Sequence, residues 1–193
     1  MNLTKHLVVA ILMTIVTTLL LGVVYPLAVT GLAQVLFPAQ ANGQLVERGG
    51  KLVGSRIIGQ AFSSPGYFRG RPSAAGTGYD AANSGGTNLG PTNKKLVAAV
   101  TAAADAAKRE NPGQPVPIDL VTSSASGLDP HISPAAAAFQ VPRVARERGV
   151  ATGEIQRLVD AHTADRQLGF LGEAVVNVLE LNLSLDEQHP MKR

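Results

Sequence analysis

The apolar stretch from residue 7 to residue 37, LVVAILMTIVTTLLLGVVYPLAVTGLAQVLF, decides how this chain is organised. Between Leu7 and Val46 the sequence has no Asp, Glu, Lys or Arg. The hydrocarbon core of a bilayer is about 30 Å thick and needs about 20 helical residues. We therefore predict one transmembrane helix over residues 7–27, with an N-terminal stub before it (1–6) and a juxtamembrane linker after it (28–43). Pro26 is expected to weaken the far end of this helix.

A cleaved signal peptide is the alternative interpretation of the same stretch. Lys5 supplies a basic start, and Ala39-Gln40-Ala41 has the small-x-small form of a cleavage site. The apolar core of a signal peptide runs about 7–15 residues, and this stretch is at least twice as long, which favours a retained anchor.

The distribution of charge does not decide the orientation of the chain in the membrane, because basic residues lie on both sides of the apolar stretch and large domains translocate largely regardless of such counts.

Small residues recur at every fourth position of the predicted helix, at Ala10, Thr14, Thr18 and Gly22. Residues at this spacing share one helix face. Small side chains let a second helix approach closely, and threonine hydroxyls can bond across the contact. We predict that this face packs against another helix; the alternative is that small residues are common in any transmembrane helix.

Beyond the anchor, residues 44–186 are predicted to form one α+β domain, followed by a tail over residues 187–193. Residues 44–60 predict a β-hairpin, since Gly49-Gly50 can supply the positive φ angles of a tight turn. Residues 63–93 are rich in Gly, Ser, Pro and Asn, which predicts an irregular, exposed segment.

The second half of the domain predicts mostly helices. A helix is predicted over 96–110, with Leu96, Val97, Val100 and Ala104 on one face, and a strand over 117–124. A second helix is predicted to start at Ser133-Pro134, and Pro142 is expected to kink or divide it. A third helix is predicted to be capped by Thr152, with Ile155, Leu158, Val159 and His162 on one face. Residues 176–185 fit a bulged strand or a buried helix, and both remain open.

Composition and motifs argue against several classes of function. The absence of cysteine excludes disulfides and thiolate chemistry. The sequence also lacks the basic stripe with interleaved aromatic residues that would predict nucleic-acid binding. The glycines at 85 and 90 have phosphate-loop spacing, but Pro91-Thr92 stands where Lys and Ser or Thr are needed. Arg143, Arg146 and Arg148 are interpreted as a solvated helix face. We predict no catalytic residue, no metal ligand and no cofactor of the chain's own.

Several ordered blocks of the sequence cover nearly the whole chain beyond the anchor. The blocks are GSRIIGQAF (54–62), YFRGRPSA (67–74), SGGTNLGP (84–91), VTSSASGLDPHIS (121–133), RVA (143–145), FLGE (170–173) and VNVLELN (176–182). Together they resemble the KdpC family, the C subunits of Kdp-type potassium-transporting ATPases. Two positions depart from the family pattern: Thr87 stands where Ser is usual, and Ala174-Val175 stands where Pro-Arg is usual.

The resemblance implies an accessory subunit that assembles with a potassium-channel-like subunit, a P-type ATPase subunit and a further small membrane subunit. It implies a single-pass protein of the bacterial inner membrane, with the N-terminus in the cytoplasm and the domain in the periplasm. ATP and potassium would be handled by the complex, and the family is described as a catalytic chaperone that raises the ATP affinity of the ATPase subunit. A periplasmic domain could do so only through coupling between sites, so direct nucleotide contact ranks second and its residues are unknown.

The motif blocks also supply candidate residues for partner contacts. They are Arg69, Arg71, Ser84, Gly85, Gly86, Asn88, Asp129 and His131. The alternative functions are a membrane-tethered periplasmic enzyme and a binding protein that acts without a pump.

Overall fold

The computed structural model of the chain describes residues 2–191 as two compact units, the first ending at Leu45 and the second beginning at Val46. The first unit is helical, and the second combines helices with short strands, which confirms the α+β prediction. Met1 of the predicted stub and residues 192–193 of the predicted tail lie outside the described residues.

One continuous apolar helix of 34 residues, Leu3–Leu36, dominates the first unit, and by length and composition it could cross a membrane. It consists of α1 (Leu3–Leu19), a π-helical turn (Leu20–Val24) and α2 (Tyr25–Leu36). A short helix, α3 (Pro38–Ala41), follows. Much of the stretch predicted as a linker is therefore helical, while the position of the bilayer along the helix stays a prediction.

Pro26 does not end this helix. A proline in a helix interior lacks the N–H that would bond the carbonyl four residues earlier, here that of Gly22. The π-helical turn that contains Gly22 comes immediately before α2. Such a turn is one of the known ways for a helix to absorb a local defect and continue.

The second unit opens with the predicted hairpin, formed by β1 (Leu45–Arg48) and β2 (Lys51–Ser55). Gly49 and Gly50 have φ angles of 58° and 73°, the two positive values that a type I′ turn requires. Between residues 56 and 93 the regular structure is limited to one 3₁₀ turn, Ala81–Asn83. The irregular segment is confirmed.

The helix predicted over residues 96–110 is α4 (Lys94–Glu110). Its start is capped by Asn93, whose side-chain oxygen accepts a hydrogen bond from the backbone N–H of Lys95 at 2.9 Å. The predicted apolar face was partly wrong. Val97 is exposed and the buried residue is Ala107, because an alanine-rich helix has no strongly apolar stripe to fix which side faces inward.

The predicted strand over residues 117–124 is wrong: the chain forms a 3₁₀ turn there, Ile118–Leu120. The Ile118 carbonyl accepts hydrogen bonds from the backbone N–H groups of Val121 and Thr122. The Thr122 hydroxyl also donates to this carbonyl, at 2.8 Å. These local bonds compete with sheet pairing, as threonine and serine side chains commonly do.

Ser133 caps α5 (Pro134–Arg148) as predicted, since its hydroxyl oxygen accepts from the Ala136 N–H at 3.2 Å. Pro142 does not divide this helix, which continues to Arg148 with Pro142 on its exposed side. Gly149 follows with a φ of 65°, the left-handed conformation that commonly ends a helix.

The next helix is α6 (Thr152–Ala161), and its predicted cap is wrong by one position. Ala151 occupies the N-cap, and Thr152 is the first helical residue. Ile155, Leu158 and Val159 are buried as predicted. His162 follows the helix half-buried, with Nδ1 2.9 Å from the Leu158 carbonyl oxygen.

Residues 176–185 contain parts of both open alternatives, a strand followed by a helix. In a small antiparallel sheet, β5 (Val175–Asn177) lies between β3 (His131–Ile132) and β4 (Thr163–Ala164). The chain then enters α7 (Val178–Gln188), where the Asn177 side chain accepts from the Glu180 N–H at 3.1 Å. The asparagine cap explains why the strand pattern ends there.

The apolar core of the second unit lies where α5, α6, α7 and the small sheet meet. Its members are Phe68, Ile132, Ala136, Ala137, Val141, Val144, Ala145, Ile155, Leu158, Val159, Val176, Val178, Leu181 and Leu185. Phe68 is the one core residue from the long irregular segment, so that segment is anchored at this point.

Candidate functional site

The irregular segment at residues 65–69 is held by side chains that reach it from two helices. Arg143 of α5 donates from Nη1 to the carbonyl oxygens of Pro65 and Tyr67, the second at 2.9 Å. A buried backbone must find hydrogen-bond partners, and guanidinium groups provide several donors in a fixed plane. The start of the second motif block, residues 67–74, is thereby fixed to the core.

Arg148, at the end of α5, holds the same segment and the C-terminal end of α7. Its Nε donates to the Gly66 carbonyl and its Nη1 to the His189 carbonyl, both at 2.7 Å. Its Nη2 pairs with Asp186 at 2.9 Å. The guanidinium carbon also lies 4.9 Å from the centre of the Tyr67 ring, within cation–π range.

The interpretation of the arginine cluster as a solvated face was therefore wrong for two of its members. Arg143 and Arg148 are buried, and Arg146 is exposed. A usable signal was present in the sequence: Arg148 lies four residues after Val144 and eight after Gln140, so all three share the face that enters the core.

Two buried amides complete the support of the segment by binding its backbone as a neighbouring strand would. Asn182 of α7 accepts from the Phe68 N–H at 2.9 Å and donates to the Phe68 carbonyl at 2.8 Å. Gln140 of α5 accepts from the Arg69 N–H at 2.9 Å and donates to the Arg69 carbonyl at 3.1 Å. Sequence reasoning missed both residues, since single amides on apolar helix faces carry no motif.

Glu110 joins two arginines at the end of α4. Its carboxylate lies 2.5 Å from Arg69 Nη1 and 3.2 Å from Arg143 Nε. Burial lowers the pKa of the Arg143 guanidinium, and the nearby positive charge of Arg69 acts in the same direction, while Glu110 opposes both. Arg69 is one of the predicted partner contacts, and its half-exposed side chain is already engaged in the ion pair with Glu110.

Arg71 and Asp129, two further predicted contacts, bind two motif blocks together. Arg71 donates to the Thr122 carbonyl at 3.3 Å and to the Ser123 carbonyl at 3.2 Å, and it pairs with Asp129 at 3.5 Å. Asp129 also accepts from the His131 N–H at 3.0 Å, the local turn that an aspartate at this position favours. The His131 ring remains about two-fifths exposed, 41%.

The predicted contacts in the block at residues 84–91 lie against residues 124–126. The Ser84 hydroxyl and the Gly85 N–H both donate to the Ser126 carbonyl, at 3.0 and 2.8 Å. A Cβ on Gly86 would lie only 3.0 Å from the Ala125 carbonyl oxygen, so a side chain there would crowd the backbone. Asn88 is exposed with a φ of 52°, a conformation that asparagine tolerates better than most residues.

A mostly apolar cleft of about 420 Å³ opens between α4 and these blocks. Its lining includes Phe62, Tyr79, Leu120 and Phe139, together with Arg69 and Arg71. The Tyr79 hydroxyl donates to the Arg71 carbonyl at 2.6 Å, and burial raises the pKa of this tyrosine. The structure therefore joins Arg71, Ser84, Gly85 and Asp129 with residues 122–126 in one hydrogen-bonded surface, which we call the motif face. It lies beside a concave surface suited to non-covalent contact.

The remaining predicted sites can also be placed. Among residues 2–191, no three His, Cys, Asp or Glu side chains are grouped so that they could hold a metal ion. On the anchor helix, the Thr14 hydroxyl donates to the Ala10 carbonyl of its own helix at 2.8 Å. A Cβ on Gly22 would meet only the Thr18 methyl group, at 3.8 Å. The four small residues therefore leave a shallow surface, and their contact with another helix stays a prediction.

The fold and the site together define a class, the α+β proteins that carry one apolar N-terminal helix long enough to cross a membrane. Within that class, the chain belongs to the family described as K⁺-transporting ATPase, c chain, whose model matches residues 7–187. This match confirms the resemblance found in the motif blocks.

Similar proteins cover almost the same length. The chain is 61% identical over 187 residues to the potassium-transporting ATPase KdpC subunit of Koribacter versatilis, covering 97% of each chain. It is 61% identical over 176 residues to the subunit of the same name from Rhodospirillum rubrum, covering 90% of this chain and 91% of that one. The subunit of that name from Acidobacterium capsulatum is 53% identical over 185 residues, 96% of this chain and 100% of its own.

Proposed function

We propose that the chain is a non-catalytic accessory subunit of a high-affinity, ATP-driven potassium uptake pump in the bacterial inner membrane. The observation that carries this proposal is the family match over residues 7–187, which includes both the anchor and the domain. The proposed partners are a potassium-channel-like subunit and a P-type ATPase subunit of the same pump, a further small membrane subunit, and membrane lipid.

In the proposed orientation, the N-terminus lies in the cytoplasm and the second unit lies in the periplasm. A periplasmic domain cannot reach cytoplasmic ATP. Promotion of ATP use by the ATPase subunit is therefore indirect, as a coupling free energy between two sites. In this arrangement ATP and potassium are handled by the complex, and the chain has no cofactor of its own.

The anchor provides one proposed contact with the pump. Large apolar side chains cover the helix, and no residue from Leu3 to Leu36 is buried. The face with Thr18 and Gly22 is the one on which another helix could approach closely. The motif face provides the second proposed contact, against the outer surface of the pump, because its loops are fixed by hydrogen bonds before any partner binds.

Purification in mild detergent from membranes that contain the whole pump tests the assignment. The chain should co-purify with a channel-like subunit and a P-type ATPase subunit, and potassium-dependent ATP hydrolysis should follow the same fractions. Hydrolysis of equal rate and ATP affinity in a complex lacking this chain would contradict the accessory role. Turnover of a substrate by the purified chain alone would favour the tethered-enzyme alternative.

A double variant tests the helix contact. Thr18→Ile with Gly22→Ile should reduce the amount of pump recovered with the chain, since the larger side chains prevent close approach. The helix itself can accept them, because the nearest atom to a Cβ on Gly22 is 3.8 Å away. Val16→Phe adds as many heavy atoms as Gly22→Ile, on the opposite face, and should leave recovery unchanged. Equal recovery of the double variant and the control would refute the contact.

A further inference from the structure

The loop between β4 and β5 ends in an exposed apolar tip, which we define as residues 167–171, QLGFL. Leu168 is 83% exposed and Phe170 is 70% exposed, and Leu171 beside them is also exposed. Single exposed apolar residues are ordinary on protein surfaces, but a contiguous group commonly marks an interaction site. Phe170 and Leu171 belong to the motif block at residues 170–173, which is not part of the motif face.

The backbone of the apolar tip is hydrogen-bonded within the loop itself. Gln167 and Leu171 exchange two bonds, each of 2.9 Å, between their N–H groups and carbonyl oxygens. The Phe170 N–H donates to the Gln167 carbonyl at 3.2 Å, and the Gly169 N–H donates to the Arg166 carbonyl at 3.0 Å. A segment that leaves water for an apolar medium must satisfy its backbone internally, and most N–H groups of the tip already do so.

Leu168 has a backbone conformation that leucine rarely adopts. Its φ is 53°, in the left-handed region where glycine, asparagine and aspartate are the usual residues. An asparagine would fit this turn with less strain and would also be more soluble. A leucine that is both strained and exposed is not explained by folding, which points to a contact made by its side chain.

Charge does not hold the apolar tip in water. Its five residues have no ionisable side chain, and the flanking Arg166 and Glu173 form an ion pair with each other.

The bilayer that the long helix could cross is the apolar medium nearest to the tip. Nine residues, 37–45, connect the long helix to the second unit, and nine residues span at most about 32 Å. A unit of this size has a radius of gyration of about 15 Å, so a tether of this length keeps the bilayer within reach of its surface.

We propose that the apolar tip inserts Leu168, Phe170 and Leu171 into the interfacial region of the bilayer that the chain's own helix crosses. The tip then acts as a second, shallow membrane contact that limits how the domain can rotate on its tether. This inference goes beyond the accessory role and requires only that the helix anchors the chain. It can therefore fail while the pump assignment holds, and the reverse is also true.

The chain has no tryptophan, so Phe170→Trp provides a single fluorescent reporter at the tip. The full-length variant is reconstituted alone into phosphatidylcholine vesicles whose lipids are brominated in the upper part of the acyl chain. The indole emission should shift to the blue, and bromine should quench it. Ile118→Trp is the matched control, because Ile118 is also 70% exposed but lies in the 3₁₀ turn; its emission should stay that of a water-exposed indole.

Leu168→Asn in the Phe170→Trp background separates membrane contact from folding. The midpoint of thermal unfolding should stay equal or rise, because the strained leucine is replaced, while bromine quenching should fall at least twofold. Unquenched, water-like indole emission from the Phe170→Trp variant in vesicles would overturn the proposal. So would an indole that becomes shielded only in the assembled pump and without bromine quenching, which would place a protein partner at the tip.

Discussion

The long apolar helix exposes its large apolar side chains, whereas the folded domain buries several polar ones. From Leu3 to Leu36 the large apolar residues are all exposed and no residue is buried. In the second unit, two arginines, a glutamine and an asparagine are buried among apolar residues. An apolar surface of the first kind matches a lipid environment. Buried polar groups of the second kind are stable only when each finds a partner.

The difference explains why the two regions place different demands on the sequence. The anchor needs a general property, about 20 apolar residues in a row, and many sequences have it. The domain needs particular side chains at particular positions, because Arg143, Arg148, Gln140 and Asn182 each bind a named backbone group of residues 65–69. Substitutions that keep the side-chain volume and remove the polar group can therefore test whether the domain needs these particular side chains.

The largest effect is expected for Arg148→Met, which keeps much of the side-chain volume. It leaves the carbonyls of Gly66 and His189 without this donor, and Asp186 keeps the hydrogen bond from Tyr67 but loses its ion-pair partner. Removing one member of a buried, hydrogen-bonded ion pair typically costs about 3–5 kcal/mol. The free energy of unfolding of the second unit, measured by urea titration of the full chain in detergent with tyrosine circular dichroism, should fall by about that amount.

Arg146→Met is the control for this substitution, because Arg146 lies on the same helix and is exposed. Its effect should stay within about 0.5 kcal/mol. If both variants lose the same stability, burial is not what distinguishes these arginines, and the contrast between anchor and domain is weaker than the contacts indicate.

The next effect is expected for Asn182→Leu, which retains volume and increases apolarity. In the anchor such a change would be harmless. In the domain it leaves the Phe68 N–H and carbonyl without the amide that binds both. Each unsatisfied buried group costs about 1–3 kcal/mol, and partial relaxation should give a total loss of about 2–4 kcal/mol in the same titration.

Gln188→Leu, on the exposed end of the same helix, is the matched substitution and should change stability by less than about 0.5 kcal/mol. A stable Asn182→Leu variant would show that packing alone maintains the 65–69 segment, which would remove the main difference between the two regions.

The same contrast explains what the sequence could predict. The long apolar helix, the glycine turn at 49–50 and the Ser133 cap follow from local chemistry, and all three are found. The strand at 117–124 was wrong because Thr122 bonds the Ile118 carbonyl instead of a neighbouring strand. The burial of Arg143 and Arg148 depends on a loop some 80 residues away in sequence. Helical spacing can place Arg148 on the inward face, but it does not identify the distant carbonyls that the arginines bind.

The motif residues show a similar limit. Sequence blocks identified Arg71, Ser84 and Asp129 as candidates for partner contacts, and the structure shows that they join the blocks to one another. A motif marks positions that matter but does not distinguish support from contact. Ser84 and Asn88 are exposed, and the His131 side chain is 41% exposed. Contact with a partner stays a prediction for all of the candidates.

Alkaline pH should destabilise the domain through its tyrosines. Burial raises the pKa of Tyr79, and burial together with Asp186 raises that of Tyr67. An unfolded tyrosine titrates near pH 10, so above about pH 10 the unfolded chain loses protons before the folded one does. Stability is therefore complete below about pH 10 and falls as pH rises toward the folded pKa, by at most about 1.4 kcal/mol per pH unit for each tyrosine.

Tyr79→Phe should remove its part of this alkaline decline. At neutral pH it should cost about 1 kcal/mol, since the hydrogen bond to the Arg71 carbonyl is lost. Urea titrations at a series of pH values measure both effects. Tyr25→Phe, in the anchor, should alter neither, and an unchanged alkaline slope in Tyr79→Phe would contradict the assignment to Tyr79.

The smallest effects concern helix starts, where the domain depends on single hydrogen bonds that the anchor does not use. Ser133→Ala removes the bond to the Ala136 N–H and should cost about 1 kcal/mol. Thr152→Ala should be nearly neutral, because Thr152 is the first helical residue and the N-cap position belongs to Ala151. Ala151→Asp should stabilise by about 0.5–1 kcal/mol, since a carboxylate at the N-cap can accept from the first-turn N–H groups. The reverse order, with Thr152→Ala costing more than Ser133→Ala, would move the cap of α6 to Thr152 and restore the prediction made from sequence.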